Sequence, residues 1–415
     1  ARDVNASPAA SVWVVNAYQL ALVVSLLPLA ALGEIVGYRR IYIGGLALFT
    51  LASLLCALSW SLPTLTAARV IQGFGASGIM SVNTALIRFI YPSNRLGRGV
   101  GNNALVVGVA TATGPSVAAG ILSLGPWPWL FAVNLPLGLI ALLVALKALP
   151  DSLHVAHRYD WGSAALNAVT FGALIFGIGE AAHEANPVVT VLSLAVAIAA
   201  GAALIWRELG EKAPMFPVDL YRRPMFALSS GTALCAFAAQ GLAFVSLPFY
   251  FQTVLGFSAV ETGLMLTPWP AVTAIFAPIA GPLSDRFPPA ILGGIGLAVL
   301  CLGLLLLAAL PAHPDHAGIV WRMTICGAGF GFYQSPNLKA IMSSAPPERS
   351  GGASGVVATS RLVGQTLGAA LVALCFGISL EHGPTIAVGL GAAFAICGAA
   401  VSFSRLAATS LKPGV

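Results

Sequence analysis

The sequence predicts an all-α polytopic membrane protein, and three observations carry that reading. Of the 415 residues 58% are hydrophobic and only 8% charged, against about 25% charged in ordinary soluble domains. The mean hydropathy is +0.90. Apolar runs of roughly 20 residues, long enough to cross a bilayer, follow one another with short polar breaks.

The runs divide into thirteen spans, at 11–31, 41–60, 64–90, 99–122, 129–149, 161–180, 187–206, 225–249, 262–283, 289–310, 317–342, 353–379 and 384–405. Apart from Arg69, Arg322 and Arg361, which lie inside spans, the Lys and Arg residues from Arg39 to Lys412 fall on one side. The loops at 61–63, 123–128, 181–186, 250–261, 311–316 and 380–383 carry none, and only Arg2 stands on their side. By the positive-inside rule the basic side is cytoplasmic, which places the C-terminus inside a cytoplasmic (inner) cell membrane and residue 1 outside.

Composition also excludes several function classes. The net charge of +6 is spread over short loops rather than gathered in one patch, so no nucleic acid is indicated. The six cysteines stand singly in apolar runs and the six histidines in loops, so neither a metal nor disulfides are expected. No phosphate-binding loop and no catalytic cluster is present, which argues against ATP hydrolysis, a cofactor or any enzymatic role.

Three anchors recur at nearly constant offset. LGEIVGYRR with Glu34 matches GPLSDRF with Asp285, AARVIQGFGASG with Arg69 matches VWRMTICGAGFG with Arg322, and Arg98 matches Arg349. Their order implies an internal duplication. Two spans precede the acidic motif in the second copy but one in the first, so a first span is expected upstream of Ala1, with Ala1–Pro8 as the outer loop after it. The expected layout is an N-terminal half at 1–149, two additional spans at 150–212 and a six-span half at 213–415. Parallel six-span repeats around a central pathway are the layout of major facilitator transporters.

The chain resembles the fourteen-span drug:proton antiporters of the major facilitator superfamily, the multidrug efflux type. The resemblance lies in WVVNAYQLAL (13–22), LGEIVGYRR (32–40), AARVIQGFGA (67–76), GPSVAAG (114–120), WLFAVNLPLG (129–138) and SRLVGQTLGAA (360–370). It implies a proton-coupled antiporter, working as a monomer, that exports small hydrophobic or aromatic compounds by alternating access. Import by proton symport on the same fold, and a membrane protein that transports nothing, are the alternatives.

The span at 99–122 is built largely from Gly, Ala and Thr. At helical spacing Ala104, Gly108, Thr111, Pro115 and Ala118 share one face, and small residues on one stripe let another helix approach closely in lipid. Pro115 frees the carbonyl of Thr111 and should bend the helix. The resemblance makes GPSVAAG, with Gly114 and Pro115, the motif that separates exporters from importers. The span at 353–379 is its repeat counterpart.

Glu34 with Arg39 and Arg40, and their second copy Asp285 with Arg286, sit at the inner mouths of spans. They are either solvated loops or, as the resemblance implies, loops that latch the two halves together. Arg69 lies about a turn inside the membrane with Gln72 one turn on; it faces a cavity or a partner, or snorkels outward. The resemblance assigns it a role in relaying protonation. Arg361 is expected to snorkel to the inner surface. Glu180 and Glu261 stand at outer span ends, and no acid lies at the centre of a span, so the coupling acid is expected in the upstream span.

The polar and aromatic residues at mid-span are Asn16, Gln19, Gln72, Asn102, Asn103, Asn134, Gln240, Trp269, Tyr333, Gln334, Asn337 and Gln365. Singly they tie helices together; as a set they suggest a large, mostly apolar and uncharged cavity, suited to lipophilic aromatic cargo more than to dications. Pro268 and Pro270 should break their helix around Trp269.

Overall fold

The structure, a computed structural model, describes residues 8–152, 158–182, 187–211, 213–311, 314–379 and 382–410. Arg2, Lys212 and Lys412, which entered the orientation, and His154, His157, His183 and His313 lie outside the described residues.

Among the described residues the chain is helical and has no strand. The first half holds α1 (Pro8–Val36), α2 (Tyr38–Ala57), α3 (Leu62–Ile90), α4 (Leu96–Leu124), the short α5 (Trp129–Ala132) and α6 (Asn134–Ala148). A hairpin of α7 (Trp161–Ala182) and α8 (Pro187–Glu208) follows, then the single turn α9 (Val218–Tyr221). The second half holds α10 (Pro224–Phe249), α11 (Ala259–Leu266), α12 (Pro268–Leu283), α13 (Pro289–Ala308), α14 (His316–Ser344), α15 (Ser350–Ile378) and α16 (Gly383–Ser410).

Eleven helices are long and apolar enough to cross a membrane, or twelve with α4 counted as one bent span. The remaining expected span, 317–342, is the 29-residue α14, which does not reach the same apolarity. The count of thirteen is therefore not established, while the multi-pass helical architecture is.

Local chemistry accounts for the helix ends. Ser61 and Thr64 form a reciprocal capping box at α3, and Ser258 and Glu261 do the same at α11, each satisfying two amides a helix start leaves open. Glu261 is thus occupied as a cap. Asp315 accepts from the Gly318 amide at the start of α14. Gly37, at φ 100°, turns the chain between α1 and α2, a backbone conformation a side chain disfavours. At the expected break around Pro268-Trp269-Pro270 α11 gives way to α12, but Thr267 keeps helical φ −56° and ψ −36° and residues 260–283 run on as one span, so the prolines do not break the helix. The expected bend in α4 is present, 43° between its segments 93–114 and 116–124.

Within the first half α3 packs on α1 and α2, and α2 on α6; within the second, α13 packs on α14 and α16, and α10 on α15 and α16. Several helix pairs join the halves, α3 along α15 and α4 beside α14 among them, and two carry the small-residue joints. α1 lies along α15, and α4 along α12. Both joints are close because they are lined by small residues. A Cβ on Gly355 would stand 2.8 Å from Leu27, and one on Gly108 would stand 2.8 Å from the Ala274 Cβ and 3.0 Å from its Cα. The hairpin packs through α7 against both α1 and α15. Its basic end is pinned by Asp160, which accepts from the Gly162 and Ser163 amides and pairs with Arg207 of α8 at 2.9 Å. Those hydrogen bonds, the Arg207 one foremost, hold the Asp160 carboxyl well below the usual carboxylate range.

The small-residue face of α4 divides along its length. Gly101, Ala104 and Gly108 are buried against α12, whereas Thr111 and Gly114 are exposed. A Cβ on Gly114 would meet nothing within 4 Å. Of the stripe predicted at 104–118, Ala104 and Gly108 are thus packed, while Thr111 and Gly114 are open.

Candidate functional site

A cavity of about 400 Å³ lies between the halves, within the range that holds a small organic ligand. Its walls are Ala104, Gly108 and Thr111 of α4, Phe237, Gln240 and Phe244 of α10, Trp269 and Thr273 of α12, Phe330 and Gln334 of α14, and Arg361 and Gln365 of α15, with Gln19 of α1. Trp269 meets Phe244 edge-on at 5.1 Å between ring centroids, the offset geometry aromatic rings prefer. Gln365 Nε2 donates to Gln240 Oε1 at 3.0 Å and Thr273 Oγ1 to the Gly327 carbonyl at 3.1 Å.

Of the expected cavity residues the structure brings together Gln19, Gln240, Trp269, Gln334 and Gln365. The others sit elsewhere. Asn16 is exposed on α1. Asn103 accepts from Asn83 Nδ2 at 3.1 Å, tying α4 to α3. Tyr333 and Asn337 belong to a buried network inside the second half: Arg405 donates to Asn337 Oδ1 and Ser229 Oγ, both at 2.9 Å, and Asn337 Nδ2 to the Tyr333 hydroxyl at 3.3 Å. Gln72 is 1% exposed within the first half. Gln72, Asn103, Tyr333 and Asn337 thus lie on helical faces turned toward their own bundles, a distinction that helical spacing alone does not make.

Arg69 neither snorkels nor reaches the cavity wall. It donates to Gln72 Oε1 at 2.6 Å and to the Val14 carbonyl at 3.2 Å, and its guanidinium lies 4.0 Å from the Tyr18 ring centroid. Gln72 passes the link on, donating to Ser53 Oγ at 2.8 Å. A desolvated cation is held there by a carbonyl, an amide and an aromatic face, with no carboxylate partner among the described residues. Arg322, its repeat mate, donates to the Gly318 carbonyl and stacks on Trp321.

Below the cavity the basic face is clasped shut. Glu34 stands in the last turn of α1, not in a loop, and its side chain is 1% exposed. One carboxylate oxygen pairs with Arg349 at 2.6 Å, and the other accepts from the Gly352 amide at 2.7 Å at the start of α15. Arg349 also forks onto Asp219 of α9 at 2.9 and 3.0 Å and donates to the Pro214 carbonyl. The Tyr38 hydroxyl accepts from the Gly351 amide, and Arg88 donates to the Ala345 carbonyl and Ser350 Oγ. First half and second half are thereby joined by charge, by a helix N-terminus and by backbone.

The arginines expected beside Glu34 have other partners. Arg39 pairs with Asp151 and caps α6 through the Leu146 carbonyl, and Arg40 is exposed. In the second copy Asp285 accepts from the Gly97 amide of α4 at 3.0 Å and pairs with Lys339 at 2.6 Å, while Arg286 is exposed. The sequence reading missed Arg349, Asp219 and Lys339 as clasp residues. The repeat offset held one signal: Arg349 is the mate of Arg98, yet Arg349 is buried and Arg98 exposed.

A family profile described as the Major Facilitator Superfamily matches residues 1–369. An uncharacterised transporter of Escherichia coli K12, YebQ, is 52% identical over 408 residues, covering 98% of this chain and 89% of its own. The multidrug resistance protein Stp of Mycobacterium tuberculosis is 32% identical over 365 residues, 87% of this chain and 67% of its own. Among solved structures, the human organic anion transporter MFSD10 superposes with a TM-score of 0.69 at 15% identity, covering 94% of this chain and 83% of that one; at that identity the likeness speaks for the fold alone.

Proposed function

The chain belongs to the major facilitator superfamily and is a membrane transporter, not an enzyme, and we propose that it is a proton-coupled antiporter that exports small hydrophobic or aromatic compounds. The observation that carries this reading is the aromatic-walled cavity between the halves lying above a closed basic face. In alternating access, the Glu34–Arg349 clasp closes the cytoplasmic side while the cavity faces outward, and its opening as the halves rock admits cargo from within. Arg69, desolvated beside Gln72 and Tyr18, responds to protonation in the first half, and the bent α4 moves along α12. The small-residue helix with GPSVAAG and the multidrug-resistance relative support export. The layout proposed with it is 1–149, 150–212 and 213–415, in the cytoplasmic membrane with the C-terminus inside.

Everted vesicles holding the full-length protein test the reading. An outward-pumped aromatic dye should drive a substrate-dependent proton flux of opposite direction that vanishes in Arg69→Gln. Dye movement with no proton movement, or both moving the same way, overturns antiport; the latter would mark a symporter.

A further inference from the structure

Four arginines, Arg69, Arg322, Arg361 and Arg405, lie inside the described membrane helices away from the surface clasp; Arg69 and Arg405 are held by hydrogen bonds, and Arg322 in part, its Nε being buried without a partner among the described residues. Arg69 has Gln72 and the Val14 carbonyl, Arg322 has the Gly318 carbonyl and the Trp321 face, and Arg405 has Ser229 and Asn337. Arg361 is different. It stands eleven residues beyond Ser350, the start of α15, or about 16 Å along the helix at 1.5 Å per residue. At that depth its side chain turns into the cavity wall instead of reaching the basic face, contrary to the snorkelling expected for it. It takes part in none of the ion pairs among the described residues and has no hydrogen-bond partner there. No Asp, Glu or His lines the cavity with it.

The wall beside it also holds a buried polar group that nothing among the described residues satisfies. Trp269, on the same cavity wall, is 1% exposed and its indole N–H has no hydrogen-bond partner. A buried donor left open costs stability unless something accepts from it. The cavity therefore offers a charged fork without an acceptor, beside the apolar faces of Phe244 and Phe330 and a Gln240–Gln365 pair that satisfies itself in part.

We infer that the cavity takes an organic anion, a lipophilic or aromatic compound bearing a single carboxylate or similar acidic group, with Arg361 as its counter-charge. The inference rests on the reading of this cavity as the transport site. A cationic ligand would meet a like charge with no opposing acid in the wall. A neutral one would bury the guanidinium without compensation. A carboxylate answers the fork of Arg361 with two acceptor oxygens and keeps its apolar body on the rings.

The test is binding, which does not require antiport. Isothermal titration of the full-length protein in detergent with 2-naphthoate, 2-naphthamide and 2-naphthylmethylammonium compares anion, neutral and cation on one ring system. The wild type should bind the naphthoate about tenfold or more tighter than the other two, as a charge-assisted pair is worth at least that factor. Arg361→Gln should bring naphthoate and naphthamide within about twofold, and Arg361→Lys should keep the anion first. Equal or reversed affinities in the wild type, no binding of any probe at millimolar concentration, or an anion preference that survives in Arg361→Gln overturns the inference. Should Arg361→Gln bind no probe at all, Arg361→Lys decides: an anion preference retained there supports the inference, and one lost overturns it. A protein that shows the anion preference but moves no protons in vesicles would keep this inference and lose antiport.

Discussion

The two carboxylates of the basic face, one repeat apart, hold the halves together by unequal means. Glu34 reaches across: its ion pair with Arg349 and its bond to the Gly352 amide both run from α1 to the second half, and both side chains are nearly inaccessible, at 1% and 8% exposure. Asp285 reaches across with one bond only, to the Gly97 amide of α4; its ion pair with Lys339 stays within the second half, and these side chains are 13% and 14% exposed. Rocking the halves apart must therefore break a buried charge pair at the α1–α15 joint but only a carboxylate-to-helix-end contact at the α4–α12 joint. In the proposed alternating-access cycle the first joint serves as the latch. The second is suited to sliding, and α4 is also the helix that bends.

Removing Arg349 tests the latch most severely. Arg349→Ala leaves Glu34 buried among α15 backbone without a cation, and breaking one side of a buried pair costs about 3–5 kcal/mol. The expected outcome is a large fall in the thermal unfolding midpoint in detergent together with loss of vesicle transport. A cycle of Glu34→Gln and Arg349→Gln should show a coupling above about 1 kcal/mol. Additive effects would mean that the pair does not join the halves energetically.

The helices and the bend in α4 were legible because bilayer thickness and proline chemistry act on a single chain segment. The runs of apolar residues and the bend near Pro115 needed no partner to be read, whereas the break expected at Pro268-Trp269-Pro270 did not form because the helix runs through it. The sequence repeat set Glu34 and Asp285 side by side as counterparts, and both carry contacts between the halves at the basic face. What spacing did not convey was docking between segments. Arg39 and Arg40 follow Glu34 within six residues, yet Glu34 chose Arg349, 315 residues away, because α15 presents its N-terminus and the arginine together. Asn337 and Gln72 carry the same chemistry as Gln240 and Gln334 but face inward to their own bundles. Arg361 was read as a surface residue because its distance from the helix start is short in sequence, whereas its depth follows from where α15 begins.

A middle-sized effect separates the two parts of α4. Gly108→Leu would press a side chain into the Ala274 backbone, which a Cβ already approaches at 3.0–3.1 Å; overpacking of this kind costs about 1–3 kcal/mol, and here it wedges the sliding joint. Transport should fall strongly while the protein still inserts. Gly114→Leu meets open space and should retain transport and stability near wild type, by dye efflux and by unfolding midpoint. If Gly114→Leu abolishes transport with normal folding, the exporter motif itself contacts something in the transport cycle, and the division of α4 into a packed and an open part fails as a guide to function.

The smallest change tests the second carboxylate. Asp285→Asn keeps an oxygen able to accept from the Gly97 amide, so the one bond that crosses between halves survives. It removes the Lys339 pair, but Lys339 retains the Ser284 carbonyl at 2.7 Å, and both members of the pair are within reach of water. The expected loss is about 1 kcal/mol or less, with transport largely retained, far below Arg349→Ala in both measurements. Unfolding midpoints and efflux rates of the two variants measured side by side give the ratio directly. An Asp285→Asn loss as large as that of Arg349→Ala would show that the α4–α12 joint is held by charge as firmly as α1–α15, and that the two clasps work as a symmetric pair.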